Sequence, residues 1–205
     1  AWFEKETRNM PRRDIAQELE CSFNASGETV INPEDLQRIH GCIMDPIYRT
    51  GYDRNMWIWE QYQEGVPYLL VADVARGDGT DYSCFHIIRV DTMTVVAEYQ
   101  GKPDLDMYSS IIQSAGREYG NCLLVVENNG IGIAVLEKLK DLGYPKLYYS
   151  VKTTHEYMES YLAEHNDRAG PGFTTSTKTR PLIVAKLEEF VRNKIINIYS
   201  SRIFH

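Results

Sequence analysis

The sequence has few cysteines and no long apolar run, and these two absences exclude several classes of protein. Its four cysteines, Cys21, Cys42, Cys84 and Cys122, are widely separated and form no C-x-x-C pair, so the sequence predicts neither a disulfide framework nor a zinc site. No segment reaches the roughly 18 to 20 apolar residues that a membrane-spanning helix needs, and the N-terminal AWFEKETRNMPRRD lacks the apolar centre of a signal peptide. We therefore expect a soluble protein of a reducing, intracellular compartment.

Acidic residues are missing from the last part of the chain, although the protein as a whole carries a net charge of −7. No acid follows Glu189, whereas three cations do, namely Arg192, Lys194 and Arg202. Residues 1–150 contain 14 Lys and Arg against 23 Asp and Glu, and residues 151–205 contain 8 against 6. This asymmetry fits an ordinary solvated surface, or a C-terminal part that faces phosphate groups.

The composition is that of a globular protein, with 43% hydrophobic and 25% charged residues. We predict an N-terminal arm over residues 1–60 and one domain over residues 61–205. Within the arm the local patterns predict a helix at 14–21, a helix at 32–40 with Asn32 as its cap and Pro33 in its first turn, a loop at 44–55 and a short strand at 56–62.

The pattern becomes regular from Tyr68 onward. It predicts strands at 68–75, 82–90, 94–100, 122–127, 146–150 and 195–200, and helices at 106–119, 131–143 and 180–194, the last capped by Thr179. Short loops join the first three strands into an antiparallel meander, and a right-handed crossover places the 122–127 strand beside the first strand and parallel to it. The sequence thus predicts an α/β protein with a mixed sheet flanked by helices.

Two acids fall at the ends of adjacent strands in this arrangement. Asp73 lies in the apolar run YLLVADVA, and Glu127 ends the strand CLLVVE. A pair of buried carboxylates is costly unless a cation neutralises it, and neither strand contains Lys, Arg or His. Mg²⁺ prefers carboxylate oxygens, so the pairing predicts a metal site where the sheet changes from antiparallel to parallel. Taken singly, Asp73 also suits the glycine turn that follows it, and Glu127 a helix N-terminus.

The other motifs carry weaker signals. GDGTDYS (77–83) lacks the ending of a P-loop, and GIGIAV (130–135) lacks the third glycine of a dinucleotide fingerprint. The segment FTTSTKTR (173–180) is basic, rich in hydroxyls and leads into a helix N-terminus. Such a segment suits phosphate, although a flexible loop with a helix cap has the same composition.

Three of these stretches, in this order, resemble the nuclease domain of the large terminase subunit of T-even-like tailed phages. They are YLLVADVARGDGTDYS (68–83), VVENNGIG (125–132) and GFTTSTKTRP (172–181). The resemblance extends over nearly the whole chain, since QELECSF (17–23) is similar to the segment that joins the packaging ATPase to its nuclease. It implies an RNase H-like fold and an endonuclease that cuts concatemeric viral DNA during headful packaging.

The resemblance also implies the parts of the site. Asp73 and Glu127 match metal ligands of the family, Asp81 matches a further acid after the glycine turn, and Lys178, Thr179 and Arg180 would contact the DNA backbone. The cofactor would be Mg²⁺ or Mn²⁺, with two ions acting in phosphodiester hydrolysis. The partners would be double-stranded DNA, the packaging ATPase domain, the portal and the small terminase subunit, in the cytoplasm of the infected bacterium.

One element of the family's pattern has no counterpart here. The family carries a further essential Asp in a later helix, and no acid follows Glu189. We expect the chain to stop short of that helix; the alternative is a protein that departs from the family. Two other functions stay open, an actin-like or sugar-kinase-like phosphotransferase and a non-catalytic module that docks DNA or the portal.

Overall fold

The computed structural model describes residues 30–77, 79–151, 157–158 and 169–204. The predicted helix at 14–21 and the residue Asp78 of the glycine turn lie outside these ranges. Within them, none of the helices is long and apolar enough to cross a membrane.

A six-stranded mixed sheet forms the centre of the fold. Its strands, in chain order, are β1 (Tyr48–Thr50), β2 (Met56–Ile58), β3 (Tyr68–Asp73), β4 (Ser83–Arg89), β5 (Thr94–Gly101) and β6 (Leu123–Val126). In space they follow the order β1-β2-β5-β4-β3-β6. The predicted meander is confirmed, because β4 pairs antiparallel with both β3 and β5. The predicted position of β6 is also confirmed, since β6 lies parallel to β3 with Ala72 opposite Val126.

In the described part of the chain, four helices accompany the sheet: α1 (Pro33–Gly41), α2 (Leu105–Glu118), α3 (Gly132–Asp141) and α4 (Thr179–Arg192). As predicted, Asn32 caps α1, and its side chain accepts a hydrogen bond of 2.8 Å from the amide of Asp35. A side-chain cap also begins α2, where the Asp104 carboxylate accepts a hydrogen bond of 2.7 Å from the amide of Met107. Both helices therefore begin where the sequence places a capping side chain.

The core lies between one face of the sheet and helices α2 and α3. Alternate residues of β3 point into it, because side chains alternate across a strand. Tyr108 and Ile112 of α2 and Leu136 and Leu139 of α3 are fully buried against Leu70 and its neighbours.

The arm predicted for residues 1–60 contributes to the sheet. The segment predicted as a loop at 44–55 contains β1 and a 3-10 turn (Tyr52–Arg54), and the neighbouring β2 pairs antiparallel with β5. Strands of three residues are too short to give a periodic signal. The sheet therefore extends beyond the predicted boundary at residue 60.

The C-terminal half differs from the prediction in two places. The predicted strand at 146–150 divides: Leu147 forms a parallel bridge with Leu124, and β7 (Tyr149–Val151) forms a separate small sheet with β8 (Tyr157–Met158) and β9 (Ala169–Pro171). The predicted strand at 195–200 is wrong. Asn197 forms one bridge with Thr94, because β2 already occupies that edge of β5 from Ala97 onward.

Backbone hydrogen bonds at Asn197 and side-chain contacts together attach this last segment to the sheet. Glu98 of β5 is 3% exposed and accepts hydrogen bonds from Ser200 at 2.6 Å and Arg202 at 3.1 Å. His86 approaches the same carboxylate at 3.6 Å. Burial alone would raise the pKa of Glu98, but the contact with His86, the hydrogen bond from Ser200 and the charge of Arg202 together lower it. A group with a lowered pKa stabilises the fold in its ionised form.

Glu98→Gln should therefore destabilise the protein in a pH-dependent way. Above the ordinary glutamate pKa of 4.5 the loss should be about 2 kcal/mol, because a buried ion pair is broken. The loss should shrink as the pH falls through the lowered pKa of folded Glu98, since the wild-type carboxylate then becomes neutral as well. Urea unfolding at pH 7 and near pH 3 measures both values. Glu137→Gln, which removes an exposed pair with Lys140, is the control and should cost less than about 0.5 kcal/mol at either pH.

Candidate metal centre

The carboxyl ends of β3 and β6 bring Asp73 and Glu127 together. The strands run parallel and in register from Leu69 and Leu123, and the amide of Glu127 donates to the carbonyl of Ala72 at 2.9 Å. The two carboxyl groups are close enough that Glu127 raises the pKa of Asp73. The predicted adjacency of the two acids is thus confirmed by the geometry.

The raised pKa of Asp73 shows that the negative charges of the pair are not balanced by nearby cations among the described residues. The pKa of Asp73 is raised, first by partial loss of hydration at the strand end and then by the hydrogen bond and negative charge of Glu127. The charge of Asp81 raises it further, and the Val74 amide, which donates to Asp73 at 2.8 Å, lowers it. Two carboxylates this close favour a shared proton or a bound cation. This donor set fits a hard divalent cation, which takes carboxylate oxygens.

Asp73 is less buried than its apolar surroundings in the sequence suggest. It lies on the same face of β3 as Val71, and both residues are exposed, whereas Leu70 and Ala72 face the core. The prediction that Asp73 is a buried carboxylate is therefore wrong, because the helices α2 and α3 cover the opposite face of β3. The open face leaves the acid pair accessible to solvent.

The glycine turn after Asp73 is fixed by side chains around it. Ser83 accepts from the amide of Ala75 at 3.0 Å, and Lys102 donates to the carbonyl of Gly79 at 3.1 Å. Gly77 has φ +82° and approaches Pro103 so closely that a Cβ would overlap the proline carbonyl. Asp81 influences Asp73 through space, but no group of three or more His, Cys, Asp or Glu that could hold a metal ion occurs among the described residues. Its role as a ligand stays a prediction.

Two further contacts position the acid pair. The hydroxyl of Tyr108, fully buried in α2, lies 2.9 Å from the carbonyl of Asp73 and 2.6 Å from that of Cys84. The first residue of α3, Gly132, lies so close to Glu127 that a Cβ would overlap its carbonyl oxygen. Helix α3 has no side-chain cap, so Glu127 does not serve it as one. Gly132 of GIGIAV thus allows close packing of helix and strand.

The segment FTTSTKTR lies directly beside Glu127. Phe173 forms a parallel bridge with Glu127, and its amide donates to Val126 at 2.9 Å. Asn128 donates to the carbonyl of Pro171 at 3.0 Å, and Asn129 donates both to Glu127 at 3.0 Å and to the carbonyl of Thr175 at 2.7 Å. Neither asparagine was predicted as a site residue, although the run ENNG at the end of a buried strand was a signal for both.

The predicted DNA contacts differ in their surroundings. Lys178 and Arg180 are exposed, and their role stays a prediction. Thr179 is buried at 4% exposure, where its hydroxyl lies 3.1 Å from the carbonyl of Thr174. It does not cap α4: Ser176 accepts from the amide of Thr179 at 3.1 Å instead. The Thr179 side chain therefore holds the loop together.

Comparison with known proteins supports the fold. No protein-family model and no curated protein sequence matches the chain. Among solved structures, the large terminase nuclease from thermophilic phage G20c with bound magnesium is similar, with a TM-score of 0.59 and 15% identity over 82% of this chain and 75% of that one. The same nuclease with bound zinc gives 0.59 and 15% over 83% and 84%, and the nuclease domain of the Thermus phage P74-26 large terminase gives 0.57 and 15% over 82% and 73%.

These structural neighbours are large terminase nuclease domains of thermophilic phages, and the chain shares their fold. The predicted RNase H-like fold class, a mixed sheet flanked by helices, is confirmed. At this level of identity the likeness extends to the fold alone, and the closer relation to T-even-like phages stays a prediction.

Proposed function

We propose that the chain is the nuclease domain of a phage large terminase subunit, a divalent-metal-dependent endonuclease that cuts concatemeric viral DNA during headful packaging. The observation that carries the proposal is the pairing of Asp73 and Glu127 at adjacent strand ends, with the pKa of Asp73 raised. The same fold binds magnesium, zinc and cobalt in the nuclease of phage G20c. The T-even-like type of terminase is part of the proposal.

In this function Asp73 and Glu127 hold Mg²⁺ or Mn²⁺, with Asp81 as a further ligand from the glycine turn. The bound cations, two in the proposed mechanism, supply an activated water and stabilise the leaving oxygen. The chain's own part is to fix the two carboxylates: the β3–β6 ladder sets their spacing, and the Val74 amide and Asn129 each donate to one of them. The open face beside Val71 gives DNA access to the pair.

The partners follow from the same proposal. Double-stranded DNA is the substrate, and the packaging ATPase domain, the portal and the small terminase subunit are the protein partners, in the cytoplasm of the infected host. We place the connection to the ATPase domain N-terminal to β1, since β1 and β2 belong to the sheet of the nuclease domain.

Nicking of supercoiled plasmid by the full-length protein tests the function. We expect cleavage with Mg²⁺ or Mn²⁺ and none with EDTA. Two other results would contradict the proposal. Metal-independent DNA binding without cleavage would indicate a docking module, and stoichiometric ATP binding by this chain, measured by calorimetry, would indicate the phosphotransferase.

Lys178→Ala and Arg180→Ala should each weaken DNA binding by about the same factor whatever the base sequence of the DNA, because both side chains would contact phosphate. Each should reduce the slope of log affinity against log salt concentration by about 1. Fluorescence anisotropy with a labelled duplex at several salt concentrations measures both effects. Lys194→Ala is the matched control, since Lys194 lies beyond the opposite end of the 14-residue helix α4, about 20 Å away, and should leave the slope unchanged.

A further inference from the structure

Asn129 connects the acid pair to the segment that carries the exposed cations. Its side-chain nitrogen donates to Glu127 Oε1 at 3.0 Å and to the carbonyl oxygen of Thr175 at 2.7 Å. A carboxylate and a backbone carbonyl both accept and neither donates, so the amide is fixed in one orientation and both of its protons are used. Movement of Glu127 is thereby transmitted to Thr175.

The neighbouring Asn128 attaches to the same segment but not to the acids. It donates to the carbonyl of Pro171 at 3.0 Å and accepts from the hydroxyl of Thr174 at 2.8 Å. The backbone of Phe173 holds the segment to β6 through bonds of 2.9 Å to Val126 and Asn128. Asn128 and the backbone thus hold the segment in place, and Asn129 gives it a direct bond to the Glu127 carboxylate.

Beyond Thr175 the segment is hydrogen-bonded to itself up to the exposed cations. The hydroxyl of Thr179 accepts from the amide of Ser176 at 2.8 Å, and the hydroxyl of Ser176 accepts from the amides of Lys178 and Thr179 at 3.3 and 3.1 Å. Helix α4 begins at Thr179. A change at Thr175 is therefore passed to Lys178 over three residues that are hydrogen-bonded to one another.

We propose that Asn129 is a positioning residue that couples metal binding at Glu127 to the order of residues 171–180. The inference rests on the proposed function. Glu127 loses rotational freedom when it ligates a cation, and its carboxylate has lone pairs to spare beyond the one that Asn129 uses. The fixed carboxylate holds Asn129, which holds Thr175 and the phosphate-binding side chains after it. Because coupling is reciprocal, DNA phosphate on this segment strengthens metal binding by the same factor, about five- to tenfold.

A purely structural role for Asn129 gives a different result, and Asn128 separates the two. It is the same residue type, one position away, with two bonds to the same segment and none to Glu127. Loss of either side chain should loosen the segment. In the proposal, loss of Asn129 alone should also remove the segment's response to metal.

The experiment uses the full-length protein, Mn²⁺ alone and three forms: wild type, Asn128→Ala and Asn129→Ala. Hydrogen exchange of the amides at 172–176 is measured with and without Mn²⁺, and calorimetry gives the Mn²⁺ affinity. In the wild type, Mn²⁺ should slow this exchange about five- to tenfold. In Asn128→Ala these amides should exchange faster than in the wild type without metal, and Mn²⁺ should still slow their exchange. Asn129→Ala should bind Mn²⁺ about tenfold more weakly and show no slowing once saturated.

Two results would overturn the inference, and they are distinguishable. If saturating Mn²⁺ slows amide exchange at 172–176 in Asn129→Ala as much as in the wild type, the proposed coupling is wrong, although the metal site is still supported. If the wild type binds no Mn²⁺, the proposed function fails together with the coupling.

Discussion

Asp73→Asn is expected to abolish metal-dependent nicking of plasmid by the full-length protein while leaving the fold intact. Asparagine keeps an oxygen that can accept the hydrogen bond from the Val74 amide, but it removes the negative charge that the cation requires. If the metal supplies about 4 kcal/mol of transition-state stabilisation, the rate should fall roughly 1,000-fold or more. Initial rates with Mg²⁺ and with Mn²⁺, together with circular dichroism, measure both parts of the prediction.

The same substitution should not destabilise the metal-free protein. The pKa of Asp73 is raised, so its ionised form is disfavoured in the folded state above the ordinary aspartate pKa of 3.8. Asparagine removes this penalty, and the melting temperature in EDTA at pH 8 should equal or slightly exceed that of the wild type, with the difference vanishing below pH 3.8. Asp45→Asn is the control, because Asp45 is exposed and pairs with Arg49 far from the site. A nicking rate unchanged by Asp73→Asn would remove this carboxylate from the mechanism.

Gly132→Ala should destabilise the protein by about 2–3 kcal/mol, although alanine normally favours a helix over glycine by about 1 kcal/mol. The reason is the contact between α3 and β6: a Cβ at this position would overlap the carbonyl oxygen of Glu127 and lie 2.9 Å from its carbonyl carbon. Both are backbone atoms that cannot rotate away. The melting temperature should fall by about 5–10 °C, and the Mn²⁺ affinity should fall as well because Glu127 is displaced.

Gly41→Ala is the matched control for this prediction. Gly41 ends helix α1, and a Cβ there would meet no atom within 4 Å. Its replacement should be neutral or slightly stabilising. A Gly132→Ala protein as stable as the wild type would mean that α3 does not pack against Glu127 as described.

The local sequence was sufficient to predict the central strands and the acid pair. Short loops fix the meander from Tyr68 to Gly101, and the handedness of the crossover leaves one simple position for β6. Asp73 and Glu127 are then adjacent as a consequence of topology. This is why a carboxylate pair 54 residues apart in sequence could be predicted without a structure.

Other features depend on contacts that a local pattern does not contain. The apolar run around Val71 suggests burial on both faces, but burial depends on where the helices pack. IINIYS has the composition of a strand, yet β2 occupies the edge of β5 that it would need. The role of Asn129 depends on Thr175, 46 residues later, so no spacing within ENNG indicates it.

Anomalous diffraction from crystals of the protein soaked with Mn²⁺ tests directly whether Asp73 and Glu127 form a metal site. We expect an anomalous peak between the carboxylates of Asp73 and Glu127, which disappears in Asp73→Asn crystals soaked in the same way. A map with no peak between these two side chains at saturating Mn²⁺, or with Mn²⁺ bound by other residues instead, would contradict this expectation.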